Sequence, residues 1–201
     1  MNLFKNDPRV EIVKEPVSKW RNTNGSNLLK MVYEDGPRYN FAFQSRVQQT
    51  MLEGHLLKTD KKVKLMERSL HSTMEIFNKH QVRYGTIEKV EADVLRESYN
   101  FFTTNKAFGT DVDLFVYLRT DPQIAFERVG HRNRTEEATV SLEYIEQLHM
   151  LHEEWLGNNR QYNNTPVLIL DANKNEEEMK LLVSRLDDVI TGSRKLNSYN
   201  A

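Results

Sequence analysis

Apolar positions along this chain fall into short runs that alternate with longer helical stripes. Four runs read as strands: Val10 to Lys14, Lys62 to Glu67, Leu114 to Leu118 and Thr165 to Asp171. The third, Leu-Phe-Val-Tyr-Leu, is β-branched and aromatic in content and suits a strand buried on both faces. Glu15-Pro16 closes the first run, because proline cannot continue a central ladder. Helical spacing covers Ser26 to Asp35, after which Gly36-Pro37 is expected to break the chain. It resumes from Phe41 to Leu57, with Phe43, Val47, Thr50, Met51 and Gly54 along one stripe. Ser72 to Gln81 and Thr86 to Asn105 follow, parted by a Gly85 turn. Asp121-Pro122 opens a further helix, and Ser141 caps one in which Tyr144, Leu148, Leu151 and Trp155 recur. Asn175 to Ile190 is the clearest helix, capped by Asn175, acidic in its first turn and ended by Gly192. Strands alternating with helices predict an α/β fold, a parallel sheet flanked by helices. With no repeat and no low-complexity segment, one domain is expected.

Composition narrows the partners. The chain has 201 residues and a formal net charge of −1, which gives no electrostatic case for nucleic acid or an anionic membrane. Cysteine is absent, which excludes a disulfide framework and a thiol nucleophile. No apolar run is long enough for a transmembrane helix, and the first residues do not read as a signal peptide. An intracellular protein is expected, and the Asn24-Gly-Ser26 and Asn133-Arg-Thr135 sequons are read as coincidental.

Candidate chemistry gathers at strand ends. Glu15 falls just past the first strand, where open α/β sheets place their ligands. Glu67 and Arg68 fall at the end of the second. Gln44 lies among aromatics and offers a donor and an acceptor side by side, as reading a planar base edge requires; a satisfied polar group near a helix end is the plainer reading. Arg128, Arg132 and Arg134 follow the buried strand and its helix. Guanidinium groups match phosphate oxygens in pairs, so this cluster suits a phosphoryl-transfer site; a solvated basic helix end paired with Glu136 and Glu137 is the alternative. His149 and His152 lack the spacing and third ligand of a zinc helix, and neither a G-x-S-x-G nor a G-x-G-x-x-G motif occurs.

Taken in combination these pieces resemble the deoxynucleoside kinases, of the insect multisubstrate and mitochondrial thymidine kinase type. The resemblance runs from about Asn6 to Ala172. It is carried by Glu15-Pro16-Val17 with Trp20-Arg21-Asn22, Asn27-Leu28-Leu29 and Tyr33, Phe43-Gln44-Ser45, and Met66-Glu67-Arg68-Ser69 with Ser72 and Phe77. The long block from Tyr117 through Asp121-Pro122, Glu127-Arg128, Arg132, Arg134 and Glu136-Glu137 to Trp155-Leu156 completes it. The resemblance implies a P-loop-kinase-like sheet and transfer of the ATP γ-phosphoryl group to the 5′-hydroxyl of a deoxynucleoside. It implies Glu15 as general base and Arg68 beside it as a charge partner. Gln44 would meet the base, Trp20, Phe43, Val47, Met51 and Phe77 would wall it, and Tyr33 and Glu137 would hold the 3′-hydroxyl. Arg128, Arg132 and Arg134 would form a lid over the ATP phosphates, with Mg²⁺ bridging these and Glu67 within its reach. Thr73, small and neutral, leaves room for a thymine methyl, which favours thymidine, with deoxycytidine and deoxyuridine as further candidates. The family's dimers form through helices, which admits a homodimer, and the compartment is cytoplasmic or mitochondrial.

The resemblance also implies an initial strand and a G-x-x-x-x-G-K-[ST] loop ahead of Glu15-Pro16-Val17. Only 14 residues precede Glu15 here, and none of the eight glycines lies before Gly25. The expectation is therefore an N-terminally truncated kinase domain over residues 1–201, with the first strand and P-loop missing, the neighbouring strands exposing edges and little turnover from this chain alone. Gly130 and Met74 stand where the family carries arginines, and Arg96-Glu97-Ser98 replaces an acidic-aromatic segment. A non-catalytic nucleoside-binding relative or partner subunit is the alternative function.

Overall fold

A computed structural model of the protein describes residues 2–157 and 161–194. Its strands form in the order β1 (Val10–Val13), β2 (Val63–Met66), β3 (Phe115–Arg119), β4 (Gln161–Tyr162) and β5 (Thr165–Asp171). They make two sheets. In one, β1 and β2 pair in parallel with Val10 opposite Val63 and Val13 opposite Met66. In the other, β3 and β5 pair in parallel with Phe115 opposite Val167. The short β4 adds to β5 in antiparallel fashion, a strand not anticipated from the sequence. Asn163 and Asn164 both take left-handed backbone between β4 and β5, the conformation a two-residue hairpin turn requires and asparagine tolerates. The parallel strands thus match the expected α/β class. They divide into a pair and a triplet because β2 and β3 are not bonded to each other.

Alternation along β3 and β5 distributes side chains to two helical layers. Phe115, Tyr117 and Val167 pack with Ile76, Leu151, Trp155 and Leu156 on one face. Leu168 and Leu170 pack with Leu186 and Val189 on the other. A further core of Trp20, Leu29, Val47, Met51 and Leu70 sits beside the β1–β2 pair. Ile76 is fully buried, so Ile76→Ala should lower stability by about 2–5 kcal/mol through lost contacts and the cavity left behind. The midpoint of urea denaturation reads this directly, and an unchanged midpoint would show that the site collapses around the smaller residue.

The helices follow their caps. α1 is Val17–Arg21, α2 is Leu28–Glu34 and α3 is Gly36–Leu56. Here the sequence expectation is corrected: Gly36-Pro37 does not break the chain but begins α3, five residues ahead of Phe41. Asp35 ends α2 and its side chain accepts from Arg38 N, while Pro37 sits in the first turn where a helix needs no N–H. From Leu70 to Arg83 the chain is helical throughout, as α4 (Leu70–Ser72), a wider π-wound stretch (Thr73–Asn78) and α5 (Lys79–Arg83). α6 is Lys89–Thr104 and α7 is Pro122–Arg132, the latter capped by Asp121, which accepts from Gln123 N at 2.9 Å. α8 is Leu142–His152, capped by Ser141, and passes into a second π turn at Glu153–Gly157. The helix expected over 175–190 is broken at Leu186 into α9 (Glu176–Arg185) and α10 (Asp187–Ile190). Its capping box, Asn175 with Glu178, is present in full.

Candidate active site

A cavity of about 1360 Å³ opens beside the strand ends, bounded by α3, the Leu70–Arg83 helical run and α8. It extends into the space between the two sheets, where Leu65 of β2 and Val116 and Leu118 of β3 line it. Glu15 reaches it from the end of β1 and Arg68 from the end of β2. These strands run in parallel and in register, which brings residues 53 positions apart to the same edge.

Arg68 Nη1 donates to Glu15 Oε1 at 2.8 Å. The Glu15 side chain is largely shielded, at 12% exposure, while Arg68 remains half exposed at 46%. Arg68 has φ +59°, a left-handed backbone that a non-glycine residue adopts only at a cost of about 1–2 kcal/mol. Its guanidinium also lies over the Phe77 ring, 4.9 Å from the centroid. The backbone turn, the ion pair and the aromatic face together hold the cation at the cavity mouth. Glu67 is exposed and comes near through Oε2, 3.4 Å from Glu15 N.

The walls are aromatic, with Trp20 buried and Phe43 and Phe77 partly buried. Trp20 is anchored by Nε1 donating to Thr50 Oγ1 at 2.9 Å and meets Phe43 edge to face at 5.7 Å. The i, i+4 spacing of Phe43 with Val47, and of Val47 with Met51, lays these along one face of α3. Phe77 faces them from the π-wound stretch, which resets the side-chain direction within that helix. Gln44 is 3% exposed, and its Oε1 has no hydrogen-bond partner. A buried amide oxygen left unpaired costs about 1–3 kcal/mol, so a ligand that supplies a donor recovers that loss.

Tyr33, Glu137, Arg132 and Arg134 close the opposite rim. Glu137 accepts from Arg132 Nη2 at 2.7 Å and from Arg134 Nη1 at 3.2 Å, with its own side chain 10% exposed. Burial, followed by the Glu137 charge, raises the Tyr33 phenol above its ordinary value, so it is a neutral donor. Next to Glu137, Glu136 is clasped by Arg21, which holds its carboxyl down at about 2. That clasp ties the turn at Thr135–Glu137 to α1, so the arginine segment is fastened to the aromatic wall.

Arg128 is not brought to this rim. It donates to the Ala172 carbonyl at 2.7 Å and the Lys174 carbonyl at 3.0 Å, securing the loop after β5. Arg128 and Arg132 share a face of α7 one turn apart, but the carbonyls after β5 take the first, so the cluster read along the sequence is two arginines at the cavity and one behind it. His152 is stacked on Tyr117 and its Nδ1 bonds the Leu148 carbonyl, and among the described residues no group of histidines and carboxylates converges on a metal position. Asn40 and Gln81 also line the cavity and were not singled out from the sequence. Asn40 and Gln81 stand four positions from Gln44 and Phe77, so extending each stripe by one helical turn would have found them.

Comparison with known proteins agrees with the geometry. The family model described as deoxynucleoside kinase matches residues 1–191. Mitochondrial thymidine kinase 2 of Macaca fascicularis is 39% identical over 199 residues, covering 98% of this chain and 74% of that protein. The Homo sapiens protein of the same name is 39% identical over 193 residues, covering 95% and 72%. Homo sapiens deoxycytidine kinase is 28% identical over 210 residues, covering 90% and 81%. The ion pair at the strand ends, the aromatic walls and the match along nearly the whole chain converge: the chain belongs to the deoxynucleoside kinase family, transferases that phosphorylate deoxynucleosides.

Proposed function

We propose that the protein transfers the γ-phosphoryl group of ATP to the 5′-hydroxyl of a pyrimidine deoxynucleoside, thymidine foremost, with deoxycytidine and deoxyuridine also accepted. The observation that carries this reading is the Glu15–Arg68 pair at the mouth of a cavity walled by Trp20, Phe43 and Phe77. A flat base slides between those rings, and Gln44 meets its polar edge. The Tyr33 phenol donates to the 3′-hydroxyl, and Glu137 accepts from it. The 5′-hydroxyl then lies toward Glu15, whose carboxylate takes the proton as the new O–P bond forms. Arg68 offsets the negative charge that develops there, and Arg132 and Arg134 approach the donor phosphates from the rim. Magnesium, when bound with ATP, neutralises the phosphate oxygens; Glu67, exposed beside Glu15, is a carboxylate suited to hold it, since Mg²⁺ is commonly held by one or two carboxylates plus substrate phosphates.

Thr73 supports the thymidine preference. It is 1% exposed, and its hydroxyl is occupied by the Leu70 carbonyl at 2.7 Å, so it presents no charge to the cavity it lines. We read residues 1–201 as one domain working in mitochondria, as the two thymidine kinase relatives do by name. A homodimer would cover Val90, Val94 and Phe101, exposed along one face of α6.

Calorimetric titration with the four natural deoxynucleosides, paired with transfer from γ-labelled ATP and magnesium, tests the proposal. Thymidine should bind with Kd between about 1 μM and 1 mM, purine deoxynucleosides about tenfold or more weakly, and label should appear on the 5′-oxygen. Equal binding of purines sinks the pyrimidine preference. Tight binding with no transfer would make the chain a nucleoside-binding relative instead.

A further inference from the structure

Beyond Gln44 the cavity ends in a second buried amide. Gln81 is 7% exposed, lines the cavity and has no partner for its Oε1. Its Nε2 donates to Asn40 Oδ1 at 2.9 Å, and Asn40 Nδ2 in turn donates to the Thr86 carbonyl at 2.7 Å. This chain removes the usual ambiguity about which end of a side-chain amide is oxygen. The Thr86 carbonyl can only accept, so Asn40 must present its NH₂ there. Asn40 is thereby left with an oxygen toward Gln81, which must answer with its own NH₂. The carbonyl oxygen of Gln81 is what remains. Asn40 lies one helical turn, about 6 Å, from Gln44 on α3, and Gln81 one turn from Phe77, so this acceptor stands past the polar edge that Gln44 meets.

We infer that Gln81 is a specificity-determining residue whose fixed acceptor takes a hydrogen bond from an exocyclic amino group on the base. The inference rests on the nucleoside reading above. Among pyrimidines it singles out cytosine, which carries an NH₂ at the ring position where thymine carries a carbonyl oxygen. Thymine would set oxygen toward oxygen. The small, neutral Thr73 admits the thymine methyl at one part of the pocket, while Gln81 favours the cytosine amine at another. One site thereby serves both bases, and Asn40 acts as the positioning residue.

The test is the ratio of deoxycytidine to thymidine affinity, measured by calorimetry on the full chain. Gln81→Met should weaken deoxycytidine by about tenfold, one hydrogen bond's worth, and leave thymidine as tight or tighter. Asn40→Ala frees the Gln81 amide to turn and should reduce the ratio with thymidine binding intact. Equal weakening of both nucleosides in Gln81→Met, or an Asn40→Ala ratio unchanged from the unmodified chain, would overturn the assignment and leave the nucleoside reading standing. If the unmodified chain binds no deoxynucleoside, both readings fall together.

Discussion

Replacing Glu15 with glutamine should lower kcat for deoxynucleoside phosphorylation by about 10²–10⁴-fold and leave the nucleoside Kd within about threefold. The substitution keeps shape and keeps an oxygen that can accept from Arg68 Nη1, so the 2.8 Å contact at the strand ends can persist. What it removes is the capacity to take a proton from the 5′-hydroxyl. The walls that bind the base come from other elements, Trp20 on α1 and Phe43 on α3, and do not depend on the carboxylate. A loss confined to kcat, with single-turnover chemistry slowed by the same factor, identifies a proton acceptor. An equal change in Kd would instead make Glu15 a binding group, and the proposed mechanism would lose its base.

Stability should fall steeply with acid, and histidines are the cause. Burial lowers His55 to about 4, and His71 and Lys64 nearby press in the same direction. Burial likewise lowers His152 to about 4, with Arg68 adding to the effect. His55 Nε2 accepts from Leu70 N at 3.3 Å, which the protonated ring cannot do. In the unfolded chain each imidazole protonates near its ordinary value of about 6.5. Below that pH the unfolded state binds protons that the folded state refuses, so stability declines with falling pH until the folded value is reached. The window is therefore about pH 6.5 to 4, and above it these groups contribute no pH dependence. Each should cost about 2 kcal/mol by pH 5 and on the order of 3 kcal/mol by pH 4. Together they are a large fraction of an ordinary domain's 5–15 kcal/mol. A fall in Tm of about 8–16 °C between pH 7 and pH 5 is the expected reading. His55→Gln combined with His152→Gln should flatten that slope. A Tm that holds steady to pH 5 would show that the rings are reached by water.

Much of this was legible along the chain because it is local. The caps of α7, α8 and α9 are contacts between residues two or three positions apart, and Asp121, Ser141 and Asn175 each make them. The four parallel strands announce themselves by apolar runs between turn residues. Glu15 and Arg68 were found for the same reason, since each directly follows such a run. Resemblance to a family then supplied expectations for residues whose own spacing left a plain alternative open, Gln44 among them.

Other features were decided only when distant segments met. Pro37 reads as a breaker until Asp35 is seen to cap the helix it begins. Arg128, Arg132 and Arg134 look alike in sequence, yet the first is drawn to backbone carbonyls 44 to 46 residues away and the others to Glu137. The direction of the Gln81 amide follows from a carbonyl on a third segment, through Asn40. The left-handed turn at Arg68 is held by partners 53 residues before it and nine after. Sequence by itself determined the elements, their caps and the residues able to do the chemistry, because those follow from interactions within a few residues. Which donor meets which acceptor, which arginine faces the cavity and how the strands divide into two sheets were set by tertiary packing, where contacts far apart in the chain outweigh local preference.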